Sequence, residues 1–132
     1  MLDTHAALWM TEEGKLTDSA ETELRAARSD GAAIMVSPIT AWEIGMLVAR
    51  GRLALSMAPS QWFDALVDSG LELSVLSPEI LISSSFLPDG LGGDPADRIL
   101  AATARACSYR LMTRDRALLR YAELGHLNVI PC

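Results

Sequence analysis

The chain has 132 residues, half of them hydrophobic, which suits a single domain over residues 1–132 with one buried core and excludes intrinsic disorder. A formal net charge of -6 argues against a broad basic surface for nucleic acid, but leaves room for acids neutralised by bound cations. Aromatic residues are few, so Leu, Ala, Ile, Val and Met must fill the interior.

Short apolar runs alternate with longer helical ones, the pattern of a mainly parallel sheet covered by helices, a three-layer α/β/α arrangement. Met1 to Thr4 reads as the end of a first strand. Only two residues precede Asp3, where a buried strand usually has about five; either the sheet tolerates a stub or the natural N-terminus is longer. Thr17 to Ser29 reads as a helix, with Thr17 or Asp18 as cap and Gly31 after it. Ala32 to Val36 is a buried strand. Ser37-Pro38 opens a helix to about Ala49, stopped by Gly51. Pro59 to Ser69 is a helix ended by Gly70, on which Trp62, Phe63 and Leu66 form an apolar face, either core or a partner surface. Leu71 to Leu76 reads as a strand, and Ser77-Pro78 starts a helix to about Phe86. Pro88 to Gly93 is a glycine-rich loop. Asp94-Pro95 opens a helix to about Cys107, with Asp94 as its cap. Arg110 to Thr113 is a strand, Asp115 to Tyr121 a short helix and Leu127 to Ile130 a last strand.

Cys107 and Cys132 make no disulfide or zinc framework, and Cys107, among alanines, reads as a small core residue. Neither a signal peptide nor an apolar run long enough to span a membrane is present, so the expected compartment is the cytoplasm. Lys15 is the only lysine, and six arginines fall between Arg98 and Arg120. They form a solvated helix face or contact phosphates.

Four acids stand out by position. In open parallel sheets, sites form beyond the carboxyl ends of the strands. Asp3 ends the first strand, and Asp115 lies just past the strand Arg110 to Thr113. Glu43 falls inside an apolar stripe of Ile39, Trp42, Met46 and Leu47, so it should face the sheet. Asp97 shares a face with Leu100, Ala101 and Ala104 in the first turn of its helix. Each acid also has a structural reading: Asp3 as cap of a helix beginning near His5, Glu43 as partner of Arg98, Asp97 as a first-turn acid, Asp115 as a helix cap. Four carboxylates at one sheet edge repel one another, and a divalent cation removes that cost. Oxygen ligands select Mg²⁺ or Mn²⁺, while His5 and His126 are too scattered for zinc. Phosphodiester hydrolysis is the natural chemistry of such a centre. A phosphate-accepting receiver would need a lysine late in the fold, and a haloacid-dehalogenase-type phosphatase an aspartate where this chain has His5.

These residues sit in four segments: Leu-Asp-Thr-His at 2–5, Ser-Pro-Ile-Thr-Ala-Trp-Glu-Ile at 37–44, Gly-Asp-Pro-Ala-Asp-Arg-Ile-Leu-Ala-Ala-Thr-Ala at 93–104 and Leu-Met-Thr-Arg-Asp at 111–115. In that order they resemble the PIN-domain family, specifically the VapC-type toxins of bacterial toxin–antitoxin pairs. The resemblance implies a PIN-like fold and an Mg²⁺- or Mn²⁺-dependent ribonuclease, usually dimeric. By it Asp3, Glu43, Asp97 and Asp115 are the catalytic and metal-binding acids, Thr113 is a hydroxyl supporting them, and Asp94 is an acid of less definite role. It also implies a small antitoxin whose chain lies in the acidic groove with a basic side chain, often arginine, reaching the carboxylates. Arg98, Arg114 and Arg116 are candidates for holding RNA phosphates. A second reading keeps the fold without the chemistry, as a silent module that binds an antitoxin or RNA.

Overall fold

A computed structural model describes residues 1–11 and 16–132; Lys15 lies outside the described residues. The elements in chain order are α1 (Thr4–Thr11), α2 (Asp18–Ser29), β1 (Met35–Val36), α3 (Pro38–Ala49), α4 (Pro59–Asp68), β2 (Glu72–Leu73), α5 (Pro78–Ser83), two short 3₁₀ turns (Ser84–Phe86 and Pro88–Gly90), α6 (Pro95–Ala106), β3 (Arg110–Thr113), α7 (Arg116–Glu123) and β4 (Asn128–Pro131).

All strand pairs are parallel. Leu2 alone bridges Val36 on one side and Met112 on the other, joining the pair β1–β2 to the pair β3–β4. The amide of Leu2 donates to Met35 O at 2.9 Å and that of Asp3 to Met112 O at 3.0 Å. The order across the sheet is therefore β2, β1, the Leu2 segment, β3, β4, and the order in which strands are added reverses between the Leu2 segment and β3. That reversal point is where open α/β sheets place their sites.

The sheet separates two packed layers. Leu111 and Met112 are neighbours on β3 and point to opposite faces. Met112 joins Leu2, Ala6, Ala20, Val36, Ile44, Trp62 and Leu66 in one core. Leu111 joins Ala101, Ala104, Leu118 and Tyr121 in the other, under α6 and α7. Trp62 and Leu66 are thus core, with Phe63 packed half-buried beside them.

The helix boundaries follow local chemistry. Ser37, Ser77 and Asp94 cap α3, α5 and α6 with side-chain oxygens, each followed by proline in the first turn. At the end of α3, Gly51 at φ 66° lets its amide reach Val48 O and the amide of Arg52 reach Leu47 O, both at 2.9 Å.

Three expectations need correction. The first strand is a single bridging residue, because Thr4 already begins α1. The strands expected at 32–36 and 71–76 shrink to two residues each: β1 pairs with Glu72–Leu73 on one side and Leu2 alone on the other, so Ala32 and Ala33 have no ladder to join and are exposed. The helix expected through Phe86 tightens to a 3₁₀ turn at Ser84. Cys107 is half-buried at the end of α6, and Cys132 is buried.

Candidate functional site

Asp3 leaves the sheet at the reversal point and is 3% exposed. Its Oδ1 accepts the amide of Ala6 at 2.6 Å, so the carboxylate caps α1. Its Oδ2 accepts the hydroxyl of Thr113 at the end of β3. Burial raises its pKa, and these two hydrogen bonds pull it back.

Glu43 comes from α3. Its inward face is not the stripe the sequence suggests. Trp42 is 51% exposed, and Thr40 and Ile44 are the buried residues. α3 is apolar nearly all round, so a stripe at helical spacing can be drawn on more than one face. Glu43 lies one turn from Thr40 and is half-buried. Its Oε2 accepts the hydroxyl of Thr4 at 2.6 Å, which ties α3 to the residue after Asp3. Burial raises its pKa, as do the charges of Asp94 and Asp3, while the Thr4 bond lowers it. Among the described residues, Glu43 makes no ion pair with Arg98, whose Nε donates to Ser84 O at 3.0 Å.

Asp97 sits in the first turn of α6, half-buried, on the face whose neighbours Leu100, Ala101 and Ala104 are buried. Its pKa is pushed up to about 7, by burial first and then by the charges of Asp115, Asp94, Glu43 and Asp3. Among the described residues, no hydrogen bond offsets that cost. Asp115 follows β3 and caps α7, with Oδ1 accepting Ala117 N at 2.7 Å and Leu118 N at 3.0 Å. Asp94 caps α6 through Ala96 N at 2.8 Å. The loop before it is held in place by Tyr121, whose hydroxyl donates to Pro88 O at 3.0 Å, and by His126 against Asp89 at 2.6 Å.

The structure therefore brings Asp3, Glu43, Asp97 and Asp115 to one edge of the sheet, with Asp94 beside them. Among the described residues, no ion pair reaches any of the five. The sequence reading missed the hydroxyls of Thr4 and Thr40, which lie 3.4 Å apart behind Glu43. The i, i+3 spacing of Thr40 and Glu43 is the one signal that points to them.

The donors are all hard oxygens, the chemistry of a magnesium or manganese site. In the arrangement described, three of these groups do not stand close enough together to chelate one ion among the described residues. Among the described residues, Asp97 has no hydrogen bond to offset burial and like-charge repulsion.

A parallel sheet with carboxylates from separate elements converging where the strand order reverses defines an α/β domain with an all-oxygen acidic site. The chain belongs to the PIN domain family, whose model matches residues 1–124. Ribonuclease VapC22 of Mycobacterium tuberculosis (strain ATCC 25618 / H37Rv) is 29% identical over 118 residues, 89% of this chain and 88% of that protein. The fold is also similar to a crystal structure of VapBC2 from Rickettsia felis bound to a DNA fragment from their promoter. That match has a TM-score of 0.69 and 20% identity, covering 99% of this chain and 96% of that one.

Proposed function

We propose that this chain is a ribonuclease dependent on Mg²⁺ or Mn²⁺, acting as one PIN domain over residues 1–132. We read it as the toxin of a type II toxin–antitoxin pair, a homodimer of the cytoplasm. The observation that carries the reading is Asp97, half-buried in the first turn of α6, whose pKa is pushed up to about 7 by burial first and then by the charges of four neighbouring carboxylates. The ribonuclease named among its relatives and the toxin–antitoxin complex among its structural neighbours support the substrate and the partner. No helix among the described residues is long and apolar enough to cross a membrane.

Holding one ion would need these acids to draw closer than they stand: Asp3, Glu43 and Asp97 would then hold it, and Asp115 would complete the set with the oxygen its cap leaves over. Such an ion supplies positive charge against the acids and polarises water and phosphodiester. The chain's own work is positional. Ala6 N and Thr113 fix Asp3, Thr4 fixes Glu43, and α6 aims Asp97 inward. A basic side chain of the antitoxin, entering the acidic groove, would neutralise the same carboxylates and block RNA.

The rival reading, a silent module that only binds, draws on the cap bonds that occupy Asp3 and Asp115. Cleavage of RNA by the purified, partner-free chain separates the two. We expect cleavage that requires Mg²⁺ or Mn²⁺, stops in EDTA and is lost in Asp97→Asn. Intact RNA under both metals, or cleavage by Asp97→Asn at the wild-type rate, would remove the enzyme reading.

A further inference from the structure

Of the arginines near the acids, Arg98 is committed to the Ser84 carbonyl, and Arg116 is exposed at the first turn of α7. Arg114 is different. It is exposed, yet its guanidinium carbon lies over the Trp9 ring, 3.4 Å from the centroid, a cation–π contact between the β3–α7 turn and α1. We propose that Arg114 binds a backbone phosphate of the RNA at the rim of the acidic site, and that Trp9 is the positioning residue that holds it there. This rests on the ribonuclease reading above.

Arg114 stands between Thr113, which holds Asp3, and Asp115, which caps α7. The buried thiol of Cys132 feels both charges: burial and Asp3 raise its pKa to about 11, and Arg114 works against them. The guanidinium and the first acid therefore both lie near the Cys132 thiol. A chain of net charge -6 with five acids at this edge repels a polyanion, so a fixed cation at the rim is the local attraction that brings a phosphate in. We assign the contact to a phosphate because the Trp9 ring lies over the guanidinium carbon and the N–H groups are what the side chain presents to RNA. The N–H groups at its edge remain, and they match phosphate oxygens two at a time. Stacking also restricts a long side chain before RNA arrives, which lowers the entropy cost of binding.

The test is fluorescence anisotropy with a labelled single-stranded RNA, in EDTA so that nothing is cut, on the full chain. Arg114→Ala should weaken binding by about fivefold and lower the salt slope by about 0.7, the share of one phosphate on a single strand. Arg114→Lys should keep the slope but lose part of the affinity. Trp9→Leu should weaken binding by about twofold to fivefold with the slope retained, and Trp9→Phe should stay near wild type. If Trp9 acts through Arg114, the double variant binds no more weakly than Arg114→Ala alone. Should Trp9→Leu fail to fold, Arg114→Lys and Trp9→Phe carry the comparison. Wild-type affinity and slope in Arg114→Ala, or additive losses in the double variant, overturn the proposal while leaving the ribonuclease reading in place. A wild-type chain that neither binds nor cuts RNA removes both.

Discussion

Thr113, the last residue of β3, donates its hydroxyl to Oδ2 of Asp3 and accepts the amide hydrogen of Asp115 at 3.0 Å. One buried side chain thus links the first acid to the turn that carries the last. Valine at 113 keeps most of the volume and strands a buried carboxylate oxygen without its donor, at a cost of about 1.5–3 kcal/mol. We expect Thr113→Val to melt about 5–10 °C lower and to cut RNA at least about tenfold more slowly, as expected when an acid loses its fixed position. Thr113→Ser should stay near wild type in both. Melting curves and cleavage rates side by side decide it, and full activity in the valine variant would deny Thr113 its supporting role.

Glu43 depends on Thr4 in the same way, but with a pH signature. The Thr4 hydroxyl lowers the Glu43 pKa against burial and the charges of Asp94 and Asp3. A carboxylate must be ionised to hold a cation, so activity falls as pH drops through its pKa. Thr4→Val should raise that pKa and move the acid limb of the pH–rate profile to higher pH, while Glu43→Gln should abolish cleavage with the fold intact. An unmoved acid limb in Thr4→Val would show that another group sets it.

Asp115 has two separable jobs. Its Oδ1 caps α7 at Ala117 and Leu118, a bond pattern that serine also makes. Asp115→Ser should therefore keep the melting temperature within a degree or two and still lose most activity. Asp115→Ala should lose activity and about 1 kcal/mol of stability. If Asp115→Ser cuts RNA normally, Asp115 is a cap and nothing more.

The acids were legible in the sequence because their places are set by short-range rules: an aspartate after an apolar run, a carboxylate amid helical spacing, Asp-Pro at a helix start. β3 is found over the same residues the apolar run suggests, Arg110–Thr113, because its partners β4 and Leu2 lie along most of it. β1 and β2 shrink because ladder length is a property of the neighbour, which no local pattern records. Trp42 misled because α3 is apolar on nearly every face, and only packing on α4 and α6 selects Thr40 and Ile44 as its inner side. Thr4 was hidden for a related reason. It reads as the end of a strand, yet opens α1 and turns its hydroxyl to Glu43. The Trp9–Arg114 stack joins opposite ends of the chain and leaves no mark in either segment alone.

Asp97 offers the test that needs no RNA. Its pKa rises from the ordinary value of 3.8 to about 7 on folding. The folded chain thus keeps a proton that the unfolded chain releases. The resulting stability is fully present below the unfolded value and is lost as pH climbs through about 7. The raised pKa values of Asp3 and Glu43 act with the same sign. Metal-free protein should therefore melt at a lower temperature at about pH 8 than at about pH 6, and Asp97→Asn should flatten that slope. Because Asp97 is only half-buried, solvent screening reduces the effect; we expect Asp97→Asn to melt about 3–6 °C above metal-free wild type at the higher pH. Millimolar Mg²⁺ or Mn²⁺ binds the folded state and should raise wild-type melting there, with little effect on Asp97→Asn. A wild-type chain whose melting ignores both ions at that pH, or an Asp97→Asn variant less stable than wild type, would mean that repulsion among these carboxylates is not what a cation relieves.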